Sequence, residues 1–258
     1  MSYTENRGQA RTIATAVTTA GADWPADLQA ALAAADRLAD SPPTGTAEAV
    51  AEAYGAAVLA GRPPATDKAT QRALIEHQLA QVATSGQLAQ MAARLRAEAL
   101  TAHAAGIVDQ LRHVVADADQ VLHDAREVFP VLDVREPEQV RGATPPQAAA
   151  WAKGRDAAAR VGQAVAAWTA LNAALGLTLD RRRRPLLLAD LTPDELDALG
   201  FQPDALAALH AAHQLDLATP EVYAARVGKV VAERAAEPAR LAAEAAAEHR
   251  RVFGIKVG

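Results

Sequence analysis

From Asp67 to Phe129 the chain runs sixty-three residues without a proline, and no other feature constrains the fold as much. At a helical rise of about 1.5 Å per residue, one helix over that interval would span roughly 95 Å. The second half of the interval places apolar residues at alternating steps of three and four: Val108, Leu111, Val115, Ala118, Leu122, Ala125 and Phe129. The first half holds Ile75, Leu79 and Val82, then Leu88, Met91 and Leu95. A stripe of this kind predicts a helix packed along its length on partner helices, in the manner of a coiled coil. A kink or hinge is expected at Thr84-Ser85-Gly86 or at Gly106.

The remaining helices are marked by their ends. Asp23-Trp24-Pro25 starts one whose inner face is Leu28, Leu32, Ala35 and Leu38, and Asp40 to Gly45 breaks it. Thr46 caps the next, which Gly61-Arg62-Pro63-Pro64 ends. After a connector over 130–146, a long helix is expected over 146–175, with Ala158, Val161, Val165, Trp168 and Leu175 on one stripe and Gly176 as its stop. Leu177-Thr178-Leu179 and Leu186-Leu187-Leu188 bracket four arginines and allow a short hairpin. Short helices follow over 192–199 and 203–213, and a last long one over 219–252 is expected to kink at Pro238.

Composition decides how these helices pack. Half of the residues are hydrophobic, but 68 of them are alanine and only 3% of the chain is aromatic. Burial scales with apolar area, so alanine contributes little to a thick core while favouring helix and close helix approach. The expected fold is all-α: an elongated antiparallel bundle in which the helix over 67–129 packs against 146–175 and 219–252. Four regions are expected: short helices over 1–61, a long helical hairpin over 62–176, a short-helix insert with the arginine run over 177–218, and a C-terminal helix with a basic tail over 219–258.

The function classes narrow in the same way. A net charge of −5 gives no whole-molecule attraction to nucleic acid or to anionic membranes. Cysteine is absent, which removes disulfides and cysteine-based zinc sites. The start, Met1 to Arg11, lacks an apolar signal core, and no run reaches the length of a membrane span; a cytoplasmic protein is expected, or a virion component if phage-derived. No P-loop, nucleophile elbow or dinucleotide fingerprint occurs, so no catalytic residue, metal ligand or cofactor is assigned.

Individual clusters read blandly. His210 and His213 with Asp216 lack further ligands for a metal, and His103, His113 and His123 rotate around their helix without forming a ladder. Asp117, Asp119 and Asp124 are expected as solvated surface, and Trp151 and Trp168 as packing anchors. Arg181, Arg182, Arg183 and Arg184 form the most conspicuous charge run. Four positive and seven negative residues over 177–217 make its surroundings net negative, which favours a salt-bridge patch over a nucleic-acid surface. Arg226 to Gly258 carries seven positive and four negative residues, a mildly basic tail.

The leading expectation is a non-enzymatic structural, scaffolding or assembly protein acting through helix-helix contacts, in a homo-oligomer or a larger assembly, as in phage or prophage morphogenesis. The interaction residues assigned are Val108, Leu111, Val115, Leu122 and Phe129 of the seam, with Arg181 to Arg184. Two alternatives stand beside it: a nucleic-acid-binding helical protein using Arg181 to Arg184, and a helical-bundle enzyme or ligand-binding protein with a site formed by residues distant in sequence.

Overall fold

A computed structural model of the chain describes residues 3–40, 43–84, 86–177, 179–199 and 213–253. These form eight α-helices: α1 Tyr3–Thr19, α2 Ala26–Asp40, α3 Ala47–Leu59, α4 Lys68–Thr84, α5 Gln87–Val128, α6 Pro145–Ala174, α7 Pro193–Leu199 and α8 Pro220–Phe253. Two 3-10 helices, Pro137–Gly142 and Arg181–Leu187, complete the described elements. No strand occurs among the described residues, so the fold is all-α and the hairpin allowed over 177–188 is replaced by the second 3-10 helix. The short helix expected over 203–213 lies almost entirely outside the described residues.

The single helix expected over 67–129 is corrected, and the break falls at the first of the two expected hinge positions. The interval 67–129 is two helices: α4 ends at Thr84 and α5 begins at Gln87, with Gly86 at φ +79° between them. That backbone region is open to glycine at little cost, whereas Gly106 lies inside α5 without interrupting it. Helix α1 lies in the region over 1–61 where short helices are expected, although no start or stop signal marks it. Thr12 donates its hydroxyl back to Gly8 O and Thr18 to Thr15 O, the back-bonding that lowers threonine's helix propensity. Burial of Ala10, Ile13, Val17 and Ala20, spaced three, four and three apart, holds the helix instead.

The chain divides into two compact units. Unit 1 comprises Met1–Ala14 and Trp24–Ala104, and unit 2 comprises Thr15–Asp23 and Ala105–Gly258; α1 and α5 each contribute to both.

In unit 1, α2 buries Leu28 and Ala35 as its pattern predicts. Asp36 of α2 accepts two bonds on Oδ1 from the buried Arg96 of α5, from Nε at 2.9 Å and Nη2 at 2.6 Å. The helices α3 and α4 form an antiparallel hairpin. Thr46 accepts from Ala49 N at 3.1 Å as the α3 cap, and Gly61 at φ +64° reverses the chain. Gly45 lies so close to α4 that a Cβ there would come within 3.0 Å of the Glu76 and His77 backbone.

Asp67 closes the hairpin. Its carboxylate accepts from Thr70 N at 3.2 Å and pairs with Arg62 at 2.6 Å, and the Thr70 hydroxyl lies 3.2 Å from Ala53 O across the hairpin. The Thr70 amide bond, helped by the Arg62 charge and opposed by burial, holds the Asp67 carboxyl below the usual aspartate range. A folded-state pKa below the unfolded one adds stability that is complete above the unfolded value and disappears as pH falls through the folded one. Thermal melts of wild type and Asp67→Asn should therefore differ by a constant amount near neutral pH and converge below about pH 4. A gap that stays constant into strong acid would refute this role for the carboxylate.

In unit 2, the C-terminal part of α5 turns into α6 over a core of Ala125, Phe129, Leu132, Val134, Ala150 and Trp151. Trp151 Nε1 donates to Asp133 O at 3.0 Å. Gly154 lets α6 approach this turn, with a Cβ position 3.1 Å from Leu132 Cδ2. The helix α6 opens on a capping box in which Thr144 N donates to Gln147 Oε1 at 3.0 Å. Its buried residues Ala150, Gly154, Ala157, Val161, Ala164, Trp168 and Leu171 repeat at four and three. This seam lies beside the predicted stripe: Val161, Val165 and Trp168 are buried, but Ala158 and Leu175 are only half-buried.

Residues 215–218 strap this packing. Asp216 N donates to Leu188 O at 2.8 Å, Ala218 N to Leu187 O at 2.7 Å, and Trp168 Nε1 to Ala218 O at 2.8 Å. Arg226 of α8 donates to Leu186 O and Asp216 O and pairs with the Asp216 carboxylate at 3.0 Å. The helix α8 is further tied by Lys229 to Asp190 at 2.9 Å and by Arg234 to Asp197, and it continues through Pro238.

Candidate functional site

The interaction residues assigned from the seam are interior. Val108, Leu111, Val115, Leu122 and Phe129 are all buried, with Leu111 and Val115 at 0% exposure. The most regular apolar repeat in the sequence is consumed by unit 2's own core.

The arginine run sits on the second 3-10 helix. Asp180 Oδ1 accepts from Arg182 N at 3.0 Å, and its carboxylate pairs with Arg183 at 3.5 Å. The Arg182 and Arg184 side chains are exposed and that of Arg183 is half-buried. Behind them Leu186, Leu187, Leu188 and Leu191 are buried, so the run stands at the rim of a core.

The other clusters do not converge. His213 lies 3.7 Å from Glu195, whereas Asp216 pairs with Arg226 and, at 3.3 Å, with Arg112; His210 lies outside the described residues. His103 is 3.6 Å from Asp27, and His113 and His123 are exposed. Asp117 is exposed and Asp124 accepts from Gln120, while burial pushes the Asp119 carboxyl up. Trp151 carries Arg155 over its ring at 5.2 Å, and Trp168 meets Tyr223 edge-on at 5.8 Å; both act as packing anchors. Unit 1 has an open cleft of about 220 Å³ lined by Arg11, Trp24, Asp36 and Arg96. Unit 2 has one of about 330 Å³ bordered by Asp194, Glu233 and Glu237. Among the described residues, no helix is long and apolar enough to cross a membrane.

What stands out lies in unit 1. Its large apolar residues buried among the described ones are Ile13, Leu28 and Leu100. Nine others stand exposed between residues 54 and 95: Tyr54, Val58, Leu59, Leu74, Ile75, Leu79, Val82, Met91 and Leu95. The α4 helix shows how this arises. At 100° per residue, buried Thr70 and half-buried Ala73, His77 and Ala80 share one face. Ile75, Leu79 and Val82 fall within about 60° of one another on the opposite face. The two helices of the hairpin thus bury small side chains, Ala57 of α3 and Thr70 of α4, while Ile75, Leu79 and Val82 face solvent. The repeat that follows this stripe in sequence is the more regular of the two, and His77 to Ala93 contains no Asp, Glu, Lys or Arg.

These features define an all-α protein with one well-packed unit and one that leaves an apolar face uncovered. No protein-family model, curated protein or solved structure matches the chain.

Proposed function

We propose that this chain is a non-enzymatic structural or assembly protein that works by helix-helix contact through the α3–α4 hairpin and the first turns of α5. The observation that carries the reading is the outward stripe Ile75, Leu79 and Val82, on a helix whose packed face holds Thr70, Ala73, His77 and Ala80 and no large aliphatic residue. Burying large apolar side chains drives both folding and association, and a soluble surface rarely presents many of them together without a use. In a unit that buries so few of its large side chains, a covering partner adds the missing apolar burial.

Carbene footprinting tests the reading. Residues 54–95 should label heavily in the purified chain at low concentration and lose most of that labelling in native cells, while exposed sites such as Val131 label equally in both. Equal labelling of 54–95 in the two settings would count against a docking role.

A further inference from the structure

The fold redistributes the charge around the second 3-10 helix. Over 177–217 the sequence sets seven acidic residues against four arginines, which on composition alone makes the run a neutralised patch. Most of those acids are engaged elsewhere. Asp190 pairs with Lys229 and Asp197 with Arg234, both on α8. Asp216 pairs with Arg112 of α5 and with Arg226 of α8. Glu195 accepts from the Thr192 amide and hydroxyl and lies 3.7 Å from His213. Asp194 borders the unit 2 cleft beside Glu233 and Glu237, and Asp204 lies outside the described residues. Asp180 remains, and it pairs with Arg183 at 3.5 Å. Among the described residues no carboxylate pairs with Arg182 or Arg184, and both side chains are exposed.

These two arginines stand on a fixed support. Asp180 caps the helix by accepting from Arg182 N at 3.0 Å, and Leu186, Leu187 and Leu188 are buried behind the run. A 3-10 helix rises about 2.0 Å per residue, which sets Arg182 and Arg184 about 4 Å apart along its axis. The forked donors of arginine match carboxylate geometry. The patch is therefore one or two anionic groups long, and the cations of α8 beyond it are already matched. A nucleic-acid backbone draws its affinity from a track of many phosphate contacts, and a net charge of −5 repels a long polyanion. A short acidic stretch of protein needs no such track.

We propose that Arg182 and Arg184 form a docking point for an acidic protein segment that presents two carboxylates close together. This is a second surface, within unit 2, and it stands independently of the α3–α4 hairpin.

Nuclear magnetic resonance of the full chain titrated with hexaglutamate tests it. At about 10 mM salt, where charges act over roughly 30 Å, the peptide should produce saturable shifts centred on residues 180–184. Affinity should fall at least about tenfold when Arg182→Glu and Arg184→Glu are combined, and should fall steeply as salt rises to about 150 mM. Arg182→Gln with Arg184→Gln adds no charge and should weaken binding severalfold. Circular dichroism and melting should be unchanged in both double variants, because the two side chains are exposed. Absence of shifts at the run, or shifts that both double variants leave intact, overturns the proposal. Tighter binding of an oligothymidylate of equal charge, lost in the same variants, overturns the choice of partner in favour of a nucleic-acid backbone.

Discussion

Trp168→Ala should destabilise unit 2 by about 3–5 kcal/mol, the range for removing a large aromatic from a close-packed interior. Trp168 is fully buried on the α6 seam, meets Tyr223 of α8 edge-on at 5.8 Å, and donates Nε1 to Ala218 O at 2.8 Å. It thereby joins α6, the strap over 215–218 and α8. Its loss opens a cavity and removes the donor on a buried strap carbonyl. Trp168→Phe keeps most of the ring and drops only the donor, so it should cost about 1–3 kcal/mol. Urea denaturation followed by circular dichroism gives both numbers. Amide exchange locates the effect: the Asp216 and Ala218 amides, bonded to Leu188 O and Leu187 O, should exchange faster in the alanine variant. A loss below about 1 kcal/mol for Trp168→Ala would mean that the strap does not depend on this side chain.

Local punctuation was legible because it is local. Thr46, Thr144, Thr192 and Thr219 head their helices, and Gly61 and Gly176 take positive φ after theirs. Each signal needs only neighbours a few residues away, and the same holds for the seam from Val108 to Phe129. The break at Gly86 and the continuity at Gly106 were harder to separate, since both glycines weaken a helix alike; only Gly86 takes the positive φ. Helix α1 was unmarked because glycine and threonines lower its propensity, while Ile13 and Val17 are held by contacts distant in sequence.

Which apolar stripe is interior and which is exposed was not legible, for a further reason. Periodicity reports that a stripe exists and not what covers it, so a core stripe and a docking stripe read alike. Val108 to Phe129 became interior because α6 and the turn after α5 supply Trp151, Leu132 and Val134 to pack with its end. Ile75, Leu79 and Val82 stayed outside because α3 offers α4 small residues, Ala53 and Ala57, on the side where the two helices meet. The alanine content that made thin packing predictable also determines which stripe is left over.

Asp36→Ala should cost unit 1 about 3–5 kcal/mol, the penalty for removing one partner of a buried ion pair. The Arg96 side chain is 1% exposed and Asp36 only 25% exposed, so water replaces little of what is lost. The bonds from Nε at 2.9 Å and from Nη2 at 2.6 Å both end on one carboxylate oxygen, and Asp36→Asn should weaken them while retaining the acceptor. The cost comes from the stranded guanidinium rather than from the net value of the pair, and a double variant separates the two. Arg96→Met removes the buried charge and keeps much of the apolar stem, so Arg96→Met with Asp36→Ala should lie within about 1–2 kcal/mol of wild type. Chemical denaturation of the wild type, both single variants and the double variant closes the cycle. If the double variant were as unstable as the sum of the singles, Arg96 and Asp36 would be acting independently, and α2 would be held to α5 by packing around Leu28 and Leu100 instead. If Asp36→Ala alone were nearly neutral, solvent would be reaching Arg96 through the cleft beside Trp24, and the pair would contribute no more than a surface ion pair does.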